Sequence, residues 1–284
     1  MSSSNNDTIR LLISCPDQKG IVQEVTKFVF DNGGNIIDSQ QHSLGLDSSF
    51  FMRLEIAEFR QSAQELTESF AAIAKKFKME YKISSGIKRM AILVSKYDHC
   101  LYDILQKIKS GVIEVEVPVI ISNHPDLEHI AKNFDIPFIH LPVTKETKKE
   151  QEQQIIAEVK KHNVDFIAMA RYMQILSADF INEFEYKIIN VHHSFLPSFK
   201  GANPYKQAYE KGVKVIGATA HYATEDLDMG PIIAQDVTHV NYKHSLADYK
   251  SLGADTEKVV FAKAIKAHAD DKIIIYQNKT NVFN

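Results

Sequence analysis

Cysteine, long apolar runs and positive charge are all scarce in this sequence. The two cysteines, Cys15 and Cys100, fall in segments that we predict to belong to different domains. We therefore expect no disulfide framework and a reducing, cytoplasmic location. No apolar run approaches the ~20 residues of a membrane helix, so no membrane partner is expected. The first seven residues are polar and lack the apolar core of a signal peptide, which predicts a disordered tail.

The charges of the chain nearly balance. Its 33 Lys and Arg residues and 36 Asp and Glu residues give a formal net charge of −3 at pH 7. Because there is no basic surplus to hold a phosphate backbone, no nucleic-acid partner is expected. A length of 284 residues exceeds the usual single domain, and 44% hydrophobic residues suffice for two buried cores. The sequence therefore has the size and composition of a two-domain protein.

Hydrophobic periodicity predicts a βαββαβ order for the first part of the chain. Period-two alternation predicts strands and three-to-four-residue spacing predicts helices. The predicted strands are residues 9–13, 35–42, 50–56 and 81–83, with a turn at 45–49, and the helices carry the apolar faces Ile21, Val25, Phe28 and Val29 and Leu66, Phe70, Ile73, Ala74 and Phe77. This is the order of a split βαβ, ferredoxin-like domain. A polar break at Ser84-Ser85-Gly86 predicts its end.

Two short segments of this part resemble the ACT domain, a small amino-acid-sensing module that usually works in pairs. They are Asp17-Gln18-Lys19-Gly20-Ile21-Val22 and Gly34-Asn35-Ile36. The resemblance implies an amino-acid effector bound at Asp17, Gly20 and Asn35, and a homo-oligomer formed through the ACT-like domains. In the alternative, Gly20 only lets a loop meet a helix, Asn35 only caps a turn, and the domain serves dimerisation without a ligand.

From residue 87 to the C-terminus, strand and helix patterns alternate. Strands are predicted at residues 90–94, 115–122, 138–140, 166–170, 215–222, 232–237 and 272–276, and helices at 99–108, 126–134, 145–162 and 255–269. This alternation predicts a doubly wound, mostly parallel sheet of Rossmann type with helices on both faces. Ligands of such sheets bind beyond the carboxyl ends of the strands, where Ala170-Arg171-Tyr172-Met173 and Asn190-Val191-His192 should lie. We therefore predict an α/β protein with domains at residues 1–86 and 87–284.

Two segments carry the groups that acyl-group chemistry needs. Asn190 and His192 lie two residues apart after an apolar run, so a strand directs both side chains to one face. An amide donates to a developing oxyanion and an imidazole moves protons; a carboxylate from Asp228 orients the imidazole or accepts a proton. Taken singly, Asn190 is more simply a turn residue and His192 a packed core histidine. Adjacent His192 and His193 face opposite ways on a strand, so no metal is expected.

The same segments resemble the signature of the folate-dependent formyltransferase family, Asn-x-His-x-Ser-x-Leu-Pro followed by Leu-Asp-x-Gly-Pro. The matching residues are Asn190, His192, Ser194, Leu196, Pro197, Leu227, Asp228, Gly230 and Pro231. The resemblance implies that Asn190, His192 and Asp228 are catalytic. It also implies a folate-contacting loop at Met173, Gln174, Ile175 and Leu176, and further substrate contacts at Thr224, Glu225 and Asp226. Plain apolar packing is the alternative for that loop. His221 is either an outer partner of the catalytic group or packing at the sheet end.

More narrowly, residues 192–205 and Gly217-Ala218-Thr219-Ala220-His221-Tyr222 resemble the formyltetrahydrofolate deformylase branch, whose members pass the formyl group to water. The purine-pathway transferase has a glycine-rich phosphate loop after its first strand. Here that position reads Val94-Ser95-Lys96-Tyr97-Asp98-His99-Cys100, without glycine and with an acidic side chain. A phosphorylated acceptor is therefore hard to hold, and water is the smallest nucleophile available.

The expected activity is hydrolysis of 10-formyltetrahydrofolate to formate and tetrahydrofolate, which supplies one-carbon metabolism and purine biosynthesis under amino-acid control. No cofactor and no metal are expected. In the expected mechanism Asp228, through His192 or an ordered water, takes the proton of the attacking water. Asn190 steadies the oxyanion, and His192 protonates N10. The alternatives are a transferase that moves formyl to an amine, and a catalytically silent amino-acid sensor.

Overall fold

The chain divides into two compact units. The computed structural model describes residues 8–45, 48–59, 61–199 and 203–284. The predicted polar tail, residues 46 and 47 of the predicted turn, and residues 200–202 of the deformylase-like motif lie outside the described residues. The first unit comprises Met1–Ile87, Asp270–Tyr276 and Asn281–Asn284, and the second comprises Lys88–Ala269 and Gln277–Thr280. The two C-terminal stretches therefore belong to the first unit, whereas the sequence analysis assigned all of residues 87–284 to the second.

The first unit is a four-stranded antiparallel sheet with strand order β2-β3-β1-β4. Its elements are β1 (Ile9–Pro16), α1 (Ile21–Asp31), β2 (Asn35–Leu44), β3 (Ser49–Ala57), α2 (Ala63–Phe77) and β4 (Glu80–Ser85). Alternate residues of β1, such as Leu11 and Ile13, pack with the apolar faces of both helices in one core. The expected βαββαβ order is confirmed, because the periodicity of each segment decides which face it buries.

The C-terminal stretches cover the other face of this sheet. Leu12 and Phe51 are apolar residues of that second face, and they pack against Ile274 and Phe283. Arg53 on β3 is 1% exposed, and its guanidinium donates to the carbonyls of Asp271 at 3.0 Å and Asp270 at 3.0 Å. Because both faces of β1 and β3 carry buried residues, the sheet needs this second cover. The sequence analysis assigned strand and helix patterns but did not ask what covers the second face.

The same guanidinium also forms two ion pairs, with Asp38 at 3.2 Å and with Glu55 at 3.1 Å. Asp271 in turn receives hydrogen bonds from Lys82 and Ser84 on β4, at 2.8 and 2.7 Å. These contacts fasten the segment that follows residue 269 across β3 and β4. Arg53 is therefore the main polar anchor of the C-terminal cover.

The second unit is a seven-stranded sheet with strand order β11-β10-β9-β8-β5-β6-β7. Its elements are β5 (Lys88–Val94), α3 (His99–Lys109), β6 (Val115–Ser122), α4 (Glu128–Asn133), β7 (Phe138–His140), α5 (Lys148–Lys161), β8 (Phe166–Ala170), α6 (Ala178–Glu183), β9 (Ile188–His192), α7 (Pro204–Lys211), β10 (Val215–Tyr222), β11 (Ile232–His239) and α8 (Leu246–Ala269). Strands β5 to β9 are parallel, while β10 runs antiparallel to both neighbours. The expected mostly parallel sheet is confirmed. A short pair, β12 (Ile273–Tyr276) and β13 (Lys279–Val282), ends the chain.

Three elements of the structure differ from the sequence prediction. Helices α6 and α7 and strand β13 were not predicted, and α8 begins at Leu246 rather than near residue 255. The early start has a local cause. The backbone N–H of Ser245 donates to the Asp248 carboxylate at 2.7 Å, and the N–H of Asp248 donates to the Ser245 hydroxyl at 3.3 Å. This reciprocal cap satisfies the first N–H groups of the helix.

None of the helices in the described residues combines the length and the apolar character needed to cross a membrane.

Replacing Arg53 by methionine should lower the free energy of unfolding of the first unit by about 3 kcal/mol, because two buried carbonyls lose a charged donor. Urea unfolding and amide hydrogen exchange of residues 270–276 measure the change. Lys27→Met, which removes an exposed ion pair with Asp31, is the control and should change stability little. Unchanged exchange of that segment in Arg53→Met would show that apolar packing alone holds it.

Candidate active site

The antiparallel pairing of β9 with β10 brings four polar side chains to one face. His192 lies opposite Thr219, and Asn190 lies opposite His221. Because residues two apart on a strand and residues paired across strands share a face, all four point the same way. Thr219 donates to the carbonyl of Ser194 at 2.9 Å and receives the backbone N–H of Leu196 at 3.0 Å. The threonine therefore fixes the turn that follows the catalytic strand.

The loop from β10 to β11 carries Asp228 back over this face. Asp228 has a left-handed backbone with φ of 58°. Gly230 lies so close to β10 that a Cβ atom would be 1.8 Å from the carbonyl oxygen of Tyr222. The backbone N–H of Tyr222 also donates to the carbonyl of Pro231 at 3.0 Å. A side chain at residue 230 would force the loop outward, so glycine is what permits Asp228 to approach the strand.

One oxygen of Asp228 lies beside two histidines. Its Oδ1 is 3.2 Å from Nδ1 of His192 and 3.6 Å from Nε2 of His221. Burial favours the protonated acid, but the hydrogen bonds from His192 and His221 outweigh that effect and hold the pKa of Asp228 well below its usual range. The carboxylate is therefore ionised at neutral pH. It fixes the Nδ1–H tautomer of His192, which leaves Nε2 as the atom that exchanges a proton.

Nε2 of His192 is buried and has no hydrogen-bond partner among the described residues. Nδ2 of Asn190 lies 3.2 Å from Nε2 of His221, while Nδ1 of His221 lies 2.9 Å from the carbonyl of Tyr222. His221 therefore keeps its Nδ1 proton. With a proton on Nε2 it donates to Asp228, and without one it accepts from the Asn190 amide. The second N–H of that amide is then free to bind a substrate oxygen.

These residues line a cavity of about 790 Å³ in the second unit. Of the predicted substrate contacts, Met173, Gln174, Ile175, Leu176, Thr224 and Glu225 line it together with Asn190, His192, His221 and Asp228. Asp226 does not line it, because its carbonyl turns inward to accept from the Thr224 hydroxyl at 3.0 Å and from the N–H of Met229 at 3.2 Å. The predicted set thus converges apart from one residue.

The folate-type loop is held at both ends and leaves apolar side chains uncovered. The N–H of Met173 donates to the Ser95 hydroxyl at 3.0 Å, and the N–H of Ser177 donates to the buried Glu152 at 2.9 Å. Between these anchors Met173 is 50% and Ile175 is 61% exposed. Exposed apolar side chains on an anchored loop at a cavity favour a ligand with a flat apolar surface over core packing.

The other end of the cavity contains residues that the sequence analysis did not assign. Glu257 on α8 is 1% exposed and accepts from His99 at 2.8 Å and from the Tyr205 hydroxyl at 2.5 Å. Burial opposes ionisation, but these bonds and the charge of Arg171 keep the pKa of Glu257 below its usual value. Arg171 has φ of 60°, lies 3.5 Å from Glu257, and leaves Nε and Nη1 without hydrogen bonds among the described residues. Such unpaired charged donors cost about 1–3 kcal/mol or more each.

Two further side chains complete that end. His193 lies with its ring 5.2 Å from that of His192 and 5.9 Å from that of Tyr205. Burial, with the charge of Arg171, lowers the pKa of His193 to about 3, so this ring is neutral. Tyr205 reaches Glu257 because residue 253 is glycine, where a Cβ atom would lie 2.1 Å from the tyrosine ring. A lone histidine or arginine in the sequence gave no signal of this convergence.

Among the described residues, one group places metal-ligating atoms close together: His99, Cys100 and Glu257, within 4.8 Å of one another. Arg171 already balances the charge of Glu257, and a cation there would be repelled by the guanidinium. Burial, with the charge of Glu257, raises the pKa of the Cys100 thiol. The donor set therefore fits an internal ion-pair network better than a metal.

The three predicted effector residues of the first unit do not meet in one chain. Asp17 follows the end of β1 and Gly20, with φ of 95°, precedes α1. Asn35 pairs with Ala57, at the level of Ile9 at the other end of β1. The seven steps from Ile9 to Pro16 separate these positions by about 23 Å at ~3.3 Å per residue. A site that uses all three would need more than one copy of the chain.

Comparison with known proteins places both units in described families. Residues 88–265 match the formyl transferase family and residues 10–84 match the ACT domain. A formyltetrahydrofolate deformylase of Synechocystis sp. is 47% identical over 98% of this chain and 99% of its own length. The crystal structure of a formyltetrahydrofolate deformylase from Pseudomonas syringae pv. tomato superposes with a TM-score of 0.94 at 41% identity, covering 98% of this chain and 94% of that one.

Transferase structures match less of the chain. A phosphoribosylglycinamide formyltransferase from Anaplasma phagocytophilum has a TM-score of 0.64 at 31% identity and covers 70% of this chain and 96% of that one. Similarity along nearly the whole length, ACT domain included, is found with the deformylases, and it shows that the chain belongs to the formyltetrahydrofolate deformylase family.

Proposed function

We propose that this chain hydrolyses 10-formyltetrahydrofolate to formate and tetrahydrofolate in the cytoplasm, without a cofactor, and so supplies formate and free folate to one-carbon metabolism and purine biosynthesis. The observation that carries the proposal is the position of His192. Its Nδ1 is tied to an ionised carboxylate, its Nε2 is unpaired, and both it and Asn190 line a cavity beside the exposed apolar loop at residues 173–176. This is the geometry of a proton carrier beside an oxyanion donor.

The reaction follows from these positions. The folate ring system lies against Met173 and Ile175, and the Asn190 amide donates to the formyl oxygen. Nε2 of His192 takes a proton as water adds to the formyl carbon, and gives it to N10 as the C–N bond breaks. The carboxylic acid formed loses its remaining proton and leaves as formate. Asp228 holds the imidazole and stabilises its protonated form, as a carboxylate does in an oriented histidine pair.

This proposal changes the role of Asp228 that the sequence suggested. A carboxylate whose pKa lies well below its usual range is a weak proton acceptor, so it serves better as the partner of His192 than as the base. Asp228 remains a member of the catalytic group. Its charge matters because it makes Nε2 of His192 more basic while water attacks.

Water, rather than an amine, is the acceptor in this proposal because the first strand of the second unit ends without a phosphate loop. β5 ends at Val94 and α3 begins at His99, and no glycine stands between them. The hydroxyl of Ser95 is already engaged with Asn123 at 2.6 Å and with Met173 at 3.0 Å. Few backbone donors therefore remain to hold a phosphorylated acceptor.

We further propose that the ACT unit binds an amino acid that modulates turnover, and that the chain forms a homo-oligomer through this unit. Asp17 and Gly20 flank the loop that enters α1, and they form the part of the predicted effector site that one chain supplies. Asn35 belongs to the exposed edge strand β2, which ends the sheet. A second copy is the simplest source of the missing half of such a site.

Asn190→Ala and His192→Ala should each reduce turnover of 10-formyltetrahydrofolate at least ~100-fold, because one loses the oxyanion donor and the other the proton carrier. Formate release under substrate saturation measures this. His162→Ala, at the carboxyl end of α5, is the matched control and should keep full turnover. Near-normal rates in either site variant would remove that residue from the mechanism.

Glycinamide ribonucleotide should neither accept the formyl group nor inhibit strongly, while formate and tetrahydrofolate appear in equal amounts. Asp228→Asn should suppress this release by about 100-fold or more, since a neutral amide does not support the protonated imidazole. Both products are followed by chromatography, with and without the amine. Efficient formylation of the amine would instead make the chain a transferase.

An amino acid that changes the turnover of the wild type should need at least about tenfold higher concentration in Asp17→Ala, because a charged contact is worth roughly that factor. Titration of turnover against a panel of amino acids measures it. Asp31→Ala, an exposed aspartate at the other end of α1, is the control. An equal loss in Asn35→Ala would indicate that a second copy completes the site, and an unchanged Asp17→Ala titration would place the effector elsewhere.

A further inference from the structure

Arg171 is a buried cation with open hydrogen-bonding capacity at the end of the cavity away from the folate loop. It follows β8 directly, adopts φ of 60° although it is not glycine, and is 7% exposed. Its guanidinium stacks on the ring of Tyr97 at 4.7 Å, which fixes its plane. Nε and Nη1 have no hydrogen-bond partner among the described residues. A strained, stacked guanidinium that leaves two donors unused points to a ligand.

The neighbouring carboxylate does not use these donors. Glu257 lies 3.5 Å from Nε of Arg171, beyond good hydrogen-bond geometry, and its two oxygens already accept from His99 and Tyr205. The pair therefore balances charge without satisfying the guanidinium. What the free N–H groups lack is a planar acceptor with two oxygens, which is the shape of a carboxylate.

The catalytic group and Arg171 belong to one continuous lining. The ring of His193 lies between those of His192 and Tyr205, and the Tyr205 hydroxyl is 2.5 Å from Glu257. Both ends of this row open on the same cavity. At the catalytic end Asp228 is anionic, so a newly formed anion beside it is repelled. At the other end a cation waits, with Lys206 and Lys250 as exposed lining residues.

We propose that Arg171 forms a product subsite that binds the carboxylate of formate through its unpaired N–H groups. The proposal rests on the hydrolytic function above. It gives formate a place to move to when the C–N bond has broken, away from Asp228, before it leaves the cavity. A monoanion fits beside the ionised Glu257, whereas a dianionic phosphate has no backbone cradle here and faces stronger repulsion.

Formate binding is measured on the whole chain without folate, by titrating formate into wild-type protein labelled with ¹⁵N-arginine. The side-chain Nε resonance of Arg171, assigned by its loss in Arg171→Lys, should shift and saturate. In turnover, formate should act as a product inhibitor, and Arg171→Gln should raise its inhibition constant at least about tenfold. Arg89→Gln is the matched control, because Arg89 lies on β5 at the opposite end of the parallel sheet.

Three results overturn the subsite. One is an Nε resonance of Arg171 that formate does not move in the folded wild type. Another is an inhibition constant for formate that is the same in Arg171→Gln and Arg89→Gln. The third is inorganic phosphate binding at Arg171 more tightly than formate, which would assign the subsite to a phosphorylated ligand. Formate binding without any turnover would refute the proposed hydrolysis but leave the subsite standing, so the two failures are distinguishable.

Discussion

The antiparallel run of β10 beside β9 is the constraint on which the site depends. If β10 continued the parallel order of β5 to β9, its following loop would still leave the sheet at one edge, but His221 could not face Asn190 in the observed register. The close approach of Gly230 to the Tyr222 carbonyl then brings Asp228 back to His192. A displacement of about 1 Å at such a contact can reduce a rate ~100-fold, so backbone packing decides the chemistry here.

Charge divides the cavity into two ends with different tasks. The ionised Asp228 needs a neighbour that accepts its negative charge, and His192 does so when it carries the proton of water. The same charge makes the catalytic end a poor place for an anionic product. Arg171 and Glu257 form a separate pair that is balanced overall, but it keeps free donors toward the cavity. Under the proposed reaction, this arrangement separates the base from the anion that the reaction creates.

Local patterns were enough to predict the strands, the order of the first unit and the parallel sheet, because each depends on residues close in sequence. They were also enough for Asn190 and His192, since a strand places alternate residues on one face. Contacts between distant segments were beyond them. Arg171, Tyr205 and Glu257 meet from three separate elements, and nothing in the neighbourhood of Glu257 in the sequence marks it as a buried anion. The start of α8 was missed although the Ser245-x-x-Asp248 cap was legible.

The C-terminal cover of the ACT sheet restricts how the first unit can be dissected. Deleting residues 1–86 would remove Arg53 and the second face of the sheet, so Ile274 and Phe283 would lose their apolar partners. The shortened chain would expose a hydrophobic segment attached directly to the end of α8, the helix that carries Glu257. Lost activity in such a truncation would then reflect aggregation or a displaced helix as readily as a lost effector site. Point substitutions on the exposed loop at Asp17 avoid this, since they leave the Arg53 contacts and the buried face of the sheet in place.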